Sequence, residues 1–234
     1  MARRPFTLLI LLGLLAVALA AAERQHQPPL ALGSNDALVS PAAEPELLAQ
    51  LAAADASWSP RVERIPGVGS RYVYKHRPGD PPLTLEQVKQ LLRQPPRFDQ
   101  ERAAVRVLLQ TLRRAGVHLV LGPPRLQGAA GEWDPQTRVL RIRADLPAQG
   151  SRAFVQVLNH EAIHVAQSCR GGGWFRQQPQ VLGLSRPLSA AAARHLKEPL
   201  YAGASPHQRA LEAEAYANHD RLQLGPLLLE AHCL

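Results

Sequence analysis

The chain has 234 residues, is 46% apolar but only 5% aromatic, and carries a formal net charge of +8. This length and composition exclude a disordered or collagen-like chain and suffice for one domain with a substantial core, packed mainly by Leu, Val and Ala. Arginine supplies nearly all the positive charge, since Lys75, Lys89 and Lys197 are the only lysines. The arginines are scattered and no aromatic-interleaved patch accompanies them, which argues against a nucleic-acid partner.

Residues 1–22 have the form of a signal peptide. Arg3 and Arg4 give a positive start, an apolar run extends from Phe6 to Leu19, and Ala18-Leu-Ala20 and Ala20-Ala-Ala22 offer small-residue cleavage sites. The run is shorter than the roughly 20 residues of a membrane span, so cleavage is favoured over retention as an anchor. No later stretch is long and apolar enough to span a bilayer. The expectation is export to the periplasm or beyond, with no stable membrane span after signal cleavage. Residues 23–82 form a Pro/Gly-rich linker or N-terminal arm. It carries a short helix from Glu46 to Ala56, with Leu47, Leu48 and Leu51 at helical spacing, and a brief strand at Tyr72-Val-Tyr74. A pro-segment and an arm packed on the domain both remain open.

From residue 83 the pattern becomes regular. Thr84 and Gln87 have the spacing of a reciprocal N-terminal cap, Val88, Leu91 and Leu92 form an apolar stripe, and Pro95-Pro96 ends that helix. Asp99 is placed to cap a second helix carrying Val105, Leu108, Leu109 and Leu112, which Gly116 stops. Val117 to Leu121 reads as a strand, with His118 a structural residue. A turn at Asp134-Pro-Gln-Thr precedes an imperfectly alternating strand in which Val139, Leu140 and Ile142 mix with Arg138, Arg141 and Arg143. Ser151 then stands as N-cap of a helix running to the glycines Gly171-Gly-Gly173.

That last helix contains His160-Glu161-Ala-Ile-His164. A spacing of four residues puts both imidazoles one turn apart on one face, within reach of a single metal ion. Glu161 lies one residue round the helix, too far to be a comfortable third ligand but close enough to touch a water at the metal. Two imidazoles, one further ligand and an open position suit zinc hydrolysis with a carboxylate as general base. The flanking Phe154, Val157, Leu158, Ala162, Ile163 and Val165 make the helix an interior one, where two His and a Glu would be costly to bury without a partner.

These residues resemble the zincin metallopeptidases, whose motif His160, Glu161 and His164 match. The metzincin branch is excluded, because Gln167 and Arg170 stand where its motif has Gly and a third His. The chain is similar to the gluzincin branch, in which a Glu on a later helix is the third ligand, and Arg209-Ala-Leu-Glu212-Ala-Glu214-Ala-Tyr216 looks like that element. Small bacterial proteins of this type run His-Glu-x-x-His-Val-x-Gln and later Glu-x-Glu-Ala-Tyr, as here over roughly residues 130–220. The resemblance implies an α+β, mainly helical zincin-like domain over 83–234, with a small antiparallel sheet or hairpin beside the motif helix. It also implies an edge strand beside the cleft that binds substrate backbone, for which Leu140 to Arg143 is the candidate.

Glu212 and Glu214 lie about 200° apart round a helix, so only one can face the ion. Glu212 shares its face with Ala215, Tyr216 and His219, and small Ala215 would allow close helix approach. Glu214 would then pair with Arg221 or Arg209 as a surface charge. Glu212 is therefore the expected third ligand beside His160 and His164, with Glu214 as the alternative. Tyr216 or His219 would stabilise the oxyanion. In larger gluzincins an Asp that orients a zinc His occupies the place of Tyr216, which carries no charge at neutral pH.

From Trp174 to Pro206 the chain is a long insertion with one short helix, Ser189 to Leu196, either a lid or an inert excursion; His195 and His207 in this region are candidate adventitious ligands. Cys169 and Cys233 permit a disulfide in an exported protein. The leading expectation is an exported zinc-dependent peptidase acting on protein or peptide substrates, with Glu161 as base. The alternatives are a non-catalytic zinc-binding envelope protein on the same scaffold, or a metal-free helical protein.

Overall fold

A computed structural model of the chain describes residues 32–75, 81–172 and 178–234. The expected signal peptide and the first part of the expected linker lie outside the described residues. Strand β1 (Ala37–Leu38) is followed by helix α1 (Glu44–Trp58), whose Leu47 and Leu51 enter the same core as the motif helix. Strands β2 (Arg61–Ile65) and β3 (Gly69–Val73) pair as a separate antiparallel hairpin. Its turn uses Gly67 and Gly69 at φ 72° and 127°, angles that side chains with a Cβ rarely adopt.

Helix α2 (Leu85–Arg93) has the expected reciprocal cap: the Gln87 amide donates to Thr84 Oγ1 and the Thr84 amide donates to Gln87 Oε1. Helix α3 (Asp99–Arg114) starts one residue earlier than expected. Phe98 occupies the cap position, and Asp99 sits in the first turn, where it pairs with Arg102 at 2.6 Å. The end of α3 is a Schellman motif, with Gly116 at φ 72° and the Val117 amide donating to the Leu112 carbonyl at 2.9 Å.

Strands β4 (His118–Leu121), β5 (Gly131–Asp134) and β6 (Val139–Ile142) join β1 in a mixed sheet of order β1-β4-β6-β5. β4 and β6 are parallel, and β5 and β6 form the antiparallel hairpin beside the motif helix. This order corrects the assignment of the edge. β6 is a central strand with Val139, Leu140 and Ile142 buried, and β5 is the edge. The imperfect alternation of β6 is the mark of a strand covered on both faces.

Helix α4 (Ser151–Arg170) is the motif helix, followed by α5 (Ala190–His195), α6 (Pro206–Asn218) and α7 (Leu224–His232). The fold is thus α+β, with seven α-helices among the described residues. Phe154, Val155, Leu158, Ala162 and Val165 of α4 form the middle of the core with Leu108, Leu109 and Leu112 of α3. Ser151 does not cap α4 with its own side chain. Instead Asp55 reaches across from α1, accepting from the Ser151 amide at 2.8 Å and the Ser151 hydroxyl at 2.6 Å, and it pairs with Arg102. Negative charge from another element therefore sits at the positive end of the motif helix.

At the other side, α7 approaches α4 closely through Gly225, where an added Cβ would lie 2.4 Å from Asn159 Oδ1. Asn159 is fully buried; its Oδ1 accepts from the Gly225 amide, and its Nδ2 donates to the carbonyls of His219 and Arg221. The end of α4 is bonded to the chain terminus by the disulfide Cys169–Cys233, with Cα atoms 5.3 Å apart. Among the described residues no helix is long and apolar enough to cross a membrane.

Candidate metal centre

Helical spacing on α4 brings His160 Nε2 and His164 Nε2 to 3.1 Å of each other. Helix α6 supplies the third group. Ser205 and Gln208 cap it reciprocally, and Ala215, fully buried, packs with Ile163 and Ala166 of α4. One turn earlier on α6, Glu212 places Oε2 3.3 Å from His160 Nε2 and Oε1 3.5 Å from His164 Nε2. Ligands about 2.0–2.1 Å from a tetrahedral zinc stand roughly 3.3–3.4 Å from one another. The two imidazole nitrogens lie near that value, and each meets a different oxygen of Glu212, so the triad His160, His164 and Glu212 can hold a metal ion.

The electrostatics call for a cation in the same place. Burial lowers the His160 pKa to about 4. Burial also pulls His164 down, but contact with the Glu212 carboxylate outweighs it and raises His164 to about 9. Glu212 is disfavoured as an anion by burial, yet the two imidazoles hold it well below the usual carboxylate range. One buried and two half-buried donors thus keep one positive charge among them as a proton, in a position that a metal ion would take over.

No known family, curated protein or solved structure matches this chain. What the centre does is therefore read from its geometry.

Glu161 is buried and lies against the backbone of β5. A Cβ added at Gly131 would fall 2.7 Å from Glu161 Oε1 and 2.7 Å from its Cγ, so glycine there makes the space the carboxylate occupies. Burial raises Glu161 to about 7, opposed by the charge of His164 and the Trp133 amide. Trp133 also donates through its indole to Ser168 Oγ at 3.0 Å, which fixes β5 against α4. The centre opens into a cleft of about 750 Å³ that reaches from Gly131 and Glu132 to His195, Tyr201 and His219.

Glu214 corrects an expectation. It is not a surface charge paired with Arg221 or Arg209. It is buried, accepts from the amides of Leu182 at 2.7 Å, Gly183 at 2.7 Å and Leu184 at 2.9 Å, and accepts from Gln167 Nε2 at 2.9 Å. Arg209 instead donates to the carbonyls of Leu196, Tyr201 and Ala204.

Tyr216 packs its ring edge-on against His160, with centroids 4.4 Å apart, and its hydroxyl meets that of Tyr201 at 3.0 Å. Tyr201 in turn donates to Glu212 Oε2 at 3.3 Å. Tyr216 therefore holds His160 by packing, whereas the Nδ1 of His160 has no hydrogen-bond partner among the described residues. His219 lines the cleft, its ring centroid 6.3 Å from that of His160, and burial lowers its pKa. His195 stacks on Tyr216 and pairs with Glu198, and His207 contacts the Pro179 carbonyl; neither joins the triad. The residues that local patterns did not reveal are Gly131, Tyr201 and the Gln167–Glu214 pair. Gln167 and Glu214 carried a signal only through the resemblance, as the Gln of His-Val-x-Gln and the second Glu of Glu-x-Glu-Ala-Tyr, and neither pattern pointed to their contact.

Proposed function

We propose that this chain is an exported zinc-dependent peptidase of gluzincin-like type. The observation that carries the reading is a buried carboxylate, Glu161, set beside a group of two imidazoles and a carboxylate that can hold a metal ion. His160, His164 and Glu212 would hold the ion, which supplies Lewis acidity that lowers the pKa of water and polarises a carbonyl. Glu161 takes the proton from the attacking water and passes it to the amine as the C–N bond breaks. Its raised pKa, near neutral, suits transfer in both directions. His219, and Tyr216 with Tyr201, flank the centre as candidates to stabilise the oxyanion.

β5 is the candidate strand for substrate backbone. The Arg143 amide donates to the Ala130 carbonyl, so alternation along the strand directs the polar groups of Gly131 away from β6 and the amide of Trp133 toward Glu161. Export is supported by the form of residues 1–22 and by the disulfide, which suits an oxidising compartment.

The test is zinc per purified chain together with hydrolysis of casein and a broad peptide set, with and without chelator. About one zinc and chelator-sensitive cleavage are expected. Stoichiometric zinc without any cleavage would favour the non-catalytic zinc-binding protein, and absence of metal uptake would remove both readings.

A further inference from the structure

We infer that Gln167 and Glu214 form a relay that sets the tautomer of His164 and so aims its Nε2 at the metal position. Both are positioning residues, and the inference rests on reading His160, His164 and Glu212 as a metal site.

The argument is one of donors and acceptors. Gln167 is fully buried. One end of its amide meets the Leu211 carbonyl at 3.1 Å and Glu214 Oε2 at 2.9 Å. Both partners there accept, so that end must be the NH2 group. The oxygen end then faces His164 Nδ1 at 2.8 Å. A carbonyl oxygen accepts only, so Nδ1 carries the hydrogen, and in the neutral ring Nε2 keeps its lone pair. Nε2 is the nitrogen 3.1 Å from His160 Nε2 and 3.5 Å from Glu212 Oε1. Flipping Gln167 would forfeit the bonds to Leu211 and Glu214 and set oxygen against oxygen in a buried site.

Glu214 cannot turn to relieve such a conflict. Backbone amides of Leu182, Gly183 and Leu184 hold both of its oxygens, and their direction is set by the chain. Polarity therefore runs one way, from those amides through the Glu214 carboxylate and the Gln167 amide to the imidazole. The same carboxylate anchors the loop that leads into the stretch carrying His195 and Tyr201. Among the described residues His160 Nδ1 has no comparable partner, so the relay acts on the site through His164.

Zinc affinity by chelator competition tests this. Gln167→Leu removes the acceptor and is expected to bind zinc about 10–100-fold more weakly than wild type. Gln167→Glu faces one carboxylate with another, and Glu214→Gln offers an NH2 group where an acceptor is needed, so each should also bind weakly. In zinc-loaded wild type labelled with 15N in histidine, His164 should show a protonated Nδ1 and a metal-bound Nε2, a reading that does not depend on any variant folding. Binding of zinc by Gln167→Leu with wild-type affinity, or metal on Nδ1 of His164, overturns the relay alone. A wild type that binds no zinc sinks the metal reading and the relay with it.

Discussion

Gly131→Ala isolates the placement of the base from the binding of the metal. Gly131 lies in β5 opposite Ile142, outside the left-handed region, so alanine suits its backbone. Its added Cβ, however, would stand 2.7 Å from Glu161 Oε1 and Cγ and 2.9 Å from Cδ. Ordinary contact begins near 3.4 Å, so the carboxylate or the strand must give by about 0.7 Å. Both are constrained, since Glu161 is buried on a helix inside the core and β5 is tied to α4 through Trp133 and Ser168. A misplacement of this order at a reacting group costs up to about 100-fold in turnover. The three nearest atoms it would meet all belong to Glu161, so zinc affinity is expected to stay near that of wild type. The assay pairs peptide cleavage under saturating zinc with chelator competition on the same preparation. Wild-type turnover with zinc binding intact would refute the placement of Glu161 against β5, and loss of zinc in step with turnover would refute the separation of the two roles.

The remaining expectations can be measured on the same protein. Glu161→Gln should keep zinc near wild-type content while turnover falls by at least about 100-fold, and full activity would remove Glu161 as the base. Glu212→Ala should lose the metal, read as zinc per purified chain; Glu214→Ala should keep residual metal binding but lower stability by about 1–3 kcal/mol or more, because buried amides lose their acceptor, as read from denaturant midpoints. Alkylation of the unfolded, unreduced protein should find neither Cys169 nor Cys233 free, and reduction should cost up to about 4 kcal/mol for a sequence separation of 64. Asp55→Ala should cost about 3 kcal/mol by denaturation, at the low end for a buried pair because Arg102 is part-exposed and keeps Asp99; a neutral effect would show that α1 does not support the motif helix.

The sequence by itself determined the elements whose cause is local. A four-residue spacing puts His160 and His164 on one face because a helix turns about 100° per residue, and the same angle separates Glu212 from Glu214 on α6. The reciprocal cap at Thr84 and the stop at Gly116 are equally local, since their donors and acceptors lie within a few residues. Tertiary structure alone decided which strand is the edge, because the burial of β6 depends on what covers its second face. It alone showed that Asp55 caps α4 and that Gly131 makes room for Glu161, contacts between positions far apart in the chain. Glu214 is the clearest case: three of its four donors are backbone amides some thirty residues away, and a backbone amide has no side chain by which a sequence could announce it.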